Sequence, residues 1–184
     1  MQYEALTIPD VVLITPKLFE DERGFFFESF RQNEFEKHCG CYHFVQDNHS
    51  ASSQGVLRGL HYQLKYPQGK LVRVTKGTVF DVAVDLRVNS DTYGHWVGRT
   101  LDDQNKQMLW VPPGFAHGFY VISEYAEFQY KCTEYYVPDD QYAIAWNDED
   151  IGIIWPLSGE SPLILSEKDK NAKEWKMITH NNKY

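Results

Sequence analysis

Turn-forming clusters interrupt this 184-residue chain about every ten residues, and the segments between them are short and rich in β-branched and aromatic side chains. Punctuation of that kind leaves few folds open. Many short antiparallel strands must close into a barrel or pack as a sandwich, with helices confined to the periphery. Strand patterns fall at positions 11–15, 25–30, 44–49, 58–63, 94–101, 107–111, 118–122, 126–136 and 143–146. The clearest is a hairpin over positions 70–87, turning at Lys76-Gly77-Thr78. On its second strand Phe80, Val82, Val84 and Leu86 share one face. Val79, Asp81, Ala83 and Asp85 share the other, where two carboxylates suggest solvent, or an inward role for Asp85 beside Lys70 or His61. In the 25–30 strand Phe26, Glu28 and Phe30 share a face, so Glu28 is either ligand-facing or exposed at an edge. One peripheral helix is expected over 32–39, with Asn33 as a possible cap and Gly40 at its end. A second begins in the Ser166-Glu167-Lys168-Asp169 box, and the polar Asn181-Asn182-Lys183-Tyr184 tail is expected to fray.

With 42% hydrophobic and 15% aromatic residues, the chain suffices for one domain over residues 1–184 that buries roughly 70% of its unfolded surface. Its net charge is −8 and its Lys and Arg are scattered singly, which excludes a stripe fitted to a nucleic-acid backbone. The first residues lack the basic flank and apolar core of a signal peptide, and no apolar run reaches the length of a membrane span. A soluble, cytoplasmic protein is expected. Cys39, Cys41 and Cys132 cannot all pair, and Cys39-Gly40-Cys41 fits neither a redox nor a zinc motif, so all three read as reduced and structural.

Chemistry concentrates in Arg58-Gly59-Leu60-His61-Tyr62-Gln63, a cation, an imidazole and a phenol in six residues between the turn signals at 50–55 and 66–69. As a strand it sends Leu60 and Tyr62 to one face and Gly59, His61 and Gln63 to the other. Alone, such a His is better explained as a hydrogen-bonded interior residue. Further on, Pro112-Pro113-Gly114-Phe115-Ala116-His117 resembles the second half of the cupin signature, which implies a jelly-roll barrel. In metal-binding cupins a His-x-His and a Glu complete the ligands. Here the corresponding region offers His61-Tyr62-Gln63 and then the cationic Lys70, so no metal or cofactor is expected and His117 reads as a hydrogen-bond donor.

Taken together, Asp21 to Glu28, Gln46 to Ser50, Val56 to Gln63, Gln68 to Val72, Asp81 to Arg87, Gly114 to Phe119, Tyr130-Lys131, Tyr135-Tyr136, Trp146-Asn147-Asp148, Trp155-Pro156 and Leu165 to Asp169 resemble the dTDP-4-dehydrorhamnose 3,5-epimerase family over nearly the whole chain. The resemblance implies inversion at C3 and C5 of a dTDP-linked 4-keto-6-deoxyglucose. By carry-over, His61 takes the proton, Asp169 supports it, Lys70 holds the enolate oxygen and Tyr130 returns a proton. Spacing alone would make Asp169 a helix cap. Arg23, Arg58 and Lys168 fall to phosphate and sugar, Gln46, Asn48, Glu28 and His117 to hydroxyls and base, and Tyr136 to stacking on thymine, with Tyr135 on the opposite face of the same strand. Gln141 stands where the family commonly has a substrate-touching glutamate: the acceptor is kept and the charge lost. The resemblance also implies a homodimer exchanging amino-terminal strands, with Arg23 and Glu28 serving the neighbour's pocket. A sugar-binding module of the same barrel fold would have no reason to keep His61, Lys70 and Tyr130 together.

Overall fold

A computed structural model describes residues 1–157, 159 and 161–179, so the expected fraying at 181–184 lies outside the described residues. Its strands are β1 (Gln2–Ala5), β2 (Val12–Thr15), β3 (Phe19–Asp21), β4 (Gly24–Phe26), β5 (Gln46–Ser53), β6 (Leu57–Gln63), β7 (Lys70–Lys76), β8 (Thr78–Asp85), β9 (Trp96–Asp102), β10 (Met108–Val111), β11 (Phe115–Val121), β12 (Tyr125–Cys132) and β13 (Gln141–Ala143). The helices are α1 (Gln32–Cys39), the single turn α2 (Glu167–Lys170) and α3 (Trp175–Thr179). Two antiparallel sheets carry the architecture, in the orders β1-β2-β10-β7-β12-β5 and β13-β6-β11-β8-β9, while β3 and β4 form a separate two-stranded arm. This is the cupin-type jelly roll with short helices that the sequence implies.

The space between the sheets is filled by Leu13, Val72, Val74, Val79, Leu109, Phe119 and Phe128, among others, with the Phe119 and Phe128 rings stacked at 4.2 Å. Both outer faces are covered as well. Leu57, Leu60, Val82 and Val84 pack beneath Ile151, Trp155 and Ile178 of the carboxy-terminal segment. Val12, Ile14, Leu71 and Trp110 pack beneath α1, whose Phe35 meets Trp110 edge-on at 4.9 Å. Because the central strands of each sheet are covered on both sides, alternation there reports which face a side chain takes but not whether that face is wet.

That covering overturns the solvent reading of the β8 carboxylates: Asp81 and Asp85 are both fully buried. Asp85 does turn inward, but its partners are Arg87, Ser90 and Thr92 rather than Lys70 or His61. The 70–87 hairpin is likewise corrected. β7 and β8 are consecutive yet belong to different sheets, so Gly77 (φ +78°) is a corner where the chain crosses between layers, not a hairpin turn. A Cβ there would fall 2.1 Å from the Tyr125 carbonyl oxygen, a closeness only glycine permits. Three strand boundaries and one helix cap also differ, while α1 spans the expected residues. Strand pairing in the arm ends at Phe26, leaving Glu28 outside any strand. β5 runs through the expected turn to Ser53, pairing with β12 throughout, and Gln46, Asn48, Ser50 and Ser52 keep the two-residue period on its less exposed face. β12 stops at Cys132, so Tyr135 and Tyr136 lie in a loop and not on two faces of one strand. α1 starts from Arg31 without a side-chain cap, and Asn33 lies inside the helix.

Candidate active site

One cavity of about 440 Å³ opens between the sheets, lined by Arg58, His61, Lys70, His117, Tyr130 and Asp169, with Ser50, Ser166, Phe119, Phe128 and Ile164 in its walls. His61 and Arg58 come from β6, His117 from β11, and both strands belong to the five-stranded sheet. Lys70 and Tyr130 come from β7 and β12 of the opposing sheet. His61 and Tyr130 therefore face the cavity from opposite walls.

Strict alternation would put Arg58 on the face opposite His61. Against β11, however, His117 pairs with His61 while Phe119 pairs with Arg58, so β6 spends one extra residue and bulges between them. Gly59 makes the bulge possible: its φ is +124°, and a Cβ would come within 2.5 Å of the Gly118 Cα. The bulge re-aims Arg58 into the cavity with His61, where its guanidinium donates to Ser52 Oγ at 3.1 and 3.2 Å.

His61 Nε2 lies 2.5 Å from Asp169 Oδ1. Asp169 is nonetheless also part of a helix cap. Ser166, the N-cap of α2, accepts from the Asp169 amide at 3.1 Å and donates to Asp169 Oδ2 at 2.8 Å, so Asp169 is bound to the cap as well as to His61. Burial pushes the Asp169 carboxyl up, but hydrogen bonds from His61, Ser166 and the Gly59 amide outweigh it and hold the group below the usual range. An ionised carboxylate only accepts; the proton therefore sits on Nε2 and the Nδ1 lone pair is left to act.

Lys70 is buried, and desolvation drives its ammonium down, opposed by Cys132 and by Asp81. Burial likewise raises the Tyr130 phenol, which keeps its proton on. His117 Nε2 meets both oxygens of Asp81 at 2.9 and 3.0 Å. Asp81 and Ser166 belong to this constellation without a site role expected from residue pattern or resemblance. Asp81 was legible only as an inward neighbour of Val79 and Ala83, once both faces of β8 are known to be dry.

Gln46, Asn48, Tyr136, Gln141 and Lys168 do not line this cavity but are joined to one another: Gln46 Oε1 accepts from the Tyr136 amide at 2.8 Å and Gln46 Nε2 donates to Asn48 Oδ1 at 3.0 Å. Gln141 Oε1 accepts from both the Tyr136 hydroxyl (2.9 Å) and the Lys168 ammonium (2.5 Å). Arg23 and Glu28 are not brought to the cavity of their own chain. Arg23 pairs with Asp21 at the tip of the β3–β4 arm, and Glu28 pairs with Arg31.

Two opposed sheets holding an imidazole–carboxylate pair on one wall and a phenol on the other make this a cupin-type barrel whose interior is suited to moving protons on a bound molecule. The comparisons specify which barrel. The family model described as dTDP-4-dehydrorhamnose 3,5-epimerase matches residues 5–177. A dTDP-4-dehydrorhamnose 3,5-epimerase of Pseudomonas aeruginosa is 58% identical over 94% of this chain and 95% of its own, and that of Methanothermobacter thermautotrophicus is 50% identical over 97% and 95%. Among solved structures, dTDP-6-deoxy-D-glucose-3,5-epimerase of Legionella pneumophila, in complex with dTDP-4-keto-L-rhamnose, superposes with a TM-score of 0.95 at 48% identity, covering 100% of this chain and 98% of that one. The chain belongs to the dTDP-4-dehydrorhamnose 3,5-epimerase family, and it is an isomerase. Among the described residues no helix is long and apolar enough to cross a membrane.

Proposed function

We propose that this enzyme inverts C3 and C5 of dTDP-4-dehydro-6-deoxy-D-glucose to give dTDP-4-dehydro-L-rhamnose, with His61 as base and Tyr130 as acid. The observation that carries this reading is the placement of the Asp169-bound His61 and the proton-bearing Tyr130 on opposite walls of one cavity. A sugar ring between them meets a base on one face and an acid on the other, as inversion requires. His61 Nδ1 takes the proton next to the C4 ketone, the C–H electrons move into the enolate, and the negative charge settles on the C4 oxygen. Lys70 stabilises that oxygen, worth about 3 kcal/mol for one such donor. Tyr130 then protonates the carbon from the opposite face. Asp169 holds the tautomer and stabilises the imidazolium. The Legionella relative's complex with a dTDP-keto sugar supports the substrate class.

In this reading Arg58 and Lys168 hold the diphosphate, Tyr136 stacks on the base, and Gln46, Asn48 and His117 position hydroxyls. Arg23 and Glu28 act in the neighbour's site of a homodimer. What supports the dimer is the arm itself: Phe19, Phe25 and Phe26 are 53%, 56% and 70% exposed on it, an apolar surface suited to a partner.

The test is incubation with dTDP-4-dehydro-6-deoxy-D-glucose in deuterated buffer, reading label and configuration at C3 and C5 by NMR. Inversion with label at both carbons is expected; label at one alone would make the enzyme a single-centre epimerase. His61→Asn is expected to lose turnover and exchange together, by at least the hundred- to ten-thousand-fold typical of general acid–base groups. Tyr130→Phe is expected to wash deuterium into recovered substrate while inversion slows, since His61 still removes and returns the proton on its own face. Normal inversion by Tyr130→Phe would remove Tyr130 from the acid role.

A further inference from the structure

Three separate segments meet at one oxygen atom beside the strand that carries His61. Tyr136 comes from the loop after β12, Lys168 from α2, and Gln141 from β13, which pairs directly with the His61 strand through Gln141–Gln63 and Ala143–His61. An ammonium only donates, so the amide of Gln141 must turn its oxygen toward Lys168; the Tyr136 hydroxyl donates to that same oxygen. Lys168 is the immediate neighbour of Asp169. The contacts therefore close a ring: His61 on β6, Asp169 and Lys168 on α2, Gln141 on β13, and back to β6 through the β13–β6 ladder.

α2 is a single turn of four residues and has no helical stability of its own. Its orientation comes from its ends and from what its side chains grip. On the cavity side these grips are Asp169 on His61 and Lys168 on Gln141. We infer that Gln141 is a positioning residue. Its side-chain oxygen ties α2 to the strand beside His61, so that Asp169 is held at hydrogen-bonding distance from the base, and through Tyr136 the same atom joins the base-stacking end of the site to the proton-transfer end. A neutral amide accepts from Lys168 without forming an ion pair with it, which leaves the ammonium available to the diphosphate of the nucleotide.

This inference rests on His61 being the base, and its test separates the two. The probe is the proton between His61 Nε2 and Asp169 Oδ1, whose short bond places its NMR resonance far downfield; it is assigned by its loss in His61→Asn and is read without substrate. Gln141→Met keeps the length of the side chain and removes the acceptor. It is expected to broaden that resonance or move it upfield, and to lower kcat by between about ten- and a hundredfold. Loss of the Tyr136 tie should raise KM as well. Gln141→Glu restores an oxygen for both donors and is expected to bring back the resonance and most of the kcat lost in Gln141→Met. A purely structural role would change Tm in both variants and leave resonance and kcat alone. If Gln141→Met keeps the downfield resonance and normal kcat, the inference is overturned, whether or not KM rises. If His61→Asn retains turnover, the reading of the base fails first, whatever Gln141 does to the resonance.

Discussion

Lys70 shows how a single residue's setting becomes a pH dependence. Its ammonium sits where water is excluded, so the charged form is the disfavoured one and the proton leaves below lysine's ordinary 10.5. Tyr130, raised by burial, keeps its proton longer, so under the proposed mechanism Lys70 is the group expected to set the alkaline limb. The kcat profile is expected to fall at a lower pH than an exposed lysine would give. Lys70→Arg, charged at any accessible pH, should push that fall upward even as the altered geometry lowers the plateau. An alkaline limb unchanged in Lys70→Arg would assign it to another group. The stability term has its own sign. A lysine depressed in the folded state means the unfolded chain binds more protons between the two values, so this contribution to stability rises with pH through that window. At this scale His61, Lys70 and Tyr130 were legible as residue types fitted to enolate chemistry, whereas the Asp81–His117 pair was not, because its sequence looks like the wet side of a strand.

At the scale of elements, residue pattern located most strands but not their partners. β7 and β8 each carry the alternation of a hairpin strand, and nothing local distinguishes a turn within a sheet from a corner between two sheets. β6 is the opposite case. Its turn boundaries were readable, but the bulge that gathers Arg58 and His61 onto one wall depends on β11 lying against it, which no local pattern records. Gly59 tests that account. Alanine there meets a positive φ and a Cβ only 2.5 Å from the Gly118 Cα and 2.8 Å from the His117 carbonyl oxygen. Strain and overpacking together are expected to cost about 3 kcal/mol, lowering Tm by roughly 6–12 °C. Calorimetry of Gly59→Ala reads this directly. A Tm within about two degrees of the parent would mean that the β6–β11 contact relaxes freely and the bulge is not fixed by that glycine.

On the scale of the whole molecule, the chain builds a chemically furnished cavity and keeps two of its expected binding residues, Arg23 and Glu28, on or just beyond a separate arm. Arg23 has a side chain 85% exposed and, among the described residues, pairs with Asp21, on an arm whose Phe19, Phe25 and Phe26 are each more than half exposed. An arm of that kind is explained if it completes a second copy's site, and isologous exchange would give each dimer two composite sites. Complementation decides this without a structure of the dimer. Arg23→Ala, which removes a forked phosphate donor, is expected to lose between about ten- and a hundredfold in kcat/KM, and His61→Asn is expected to be inactive. When the two variants are co-expressed, a mixed dimer contains one site with the intact His61 of the first subunit and the intact Arg23 of the second, and one site with neither. Half the dimers are mixed and one site in two is restored, so activity should recover to about a quarter of the parent level. If Arg23 instead acted within its own chain, every mixed dimer would pair an Arg23-deficient site with a His61-deficient one. Activity would then stay at the level of the Arg23→Ala subunits alone, and the exchanged-arm reading would be lost while the assignment of His61 remained intact.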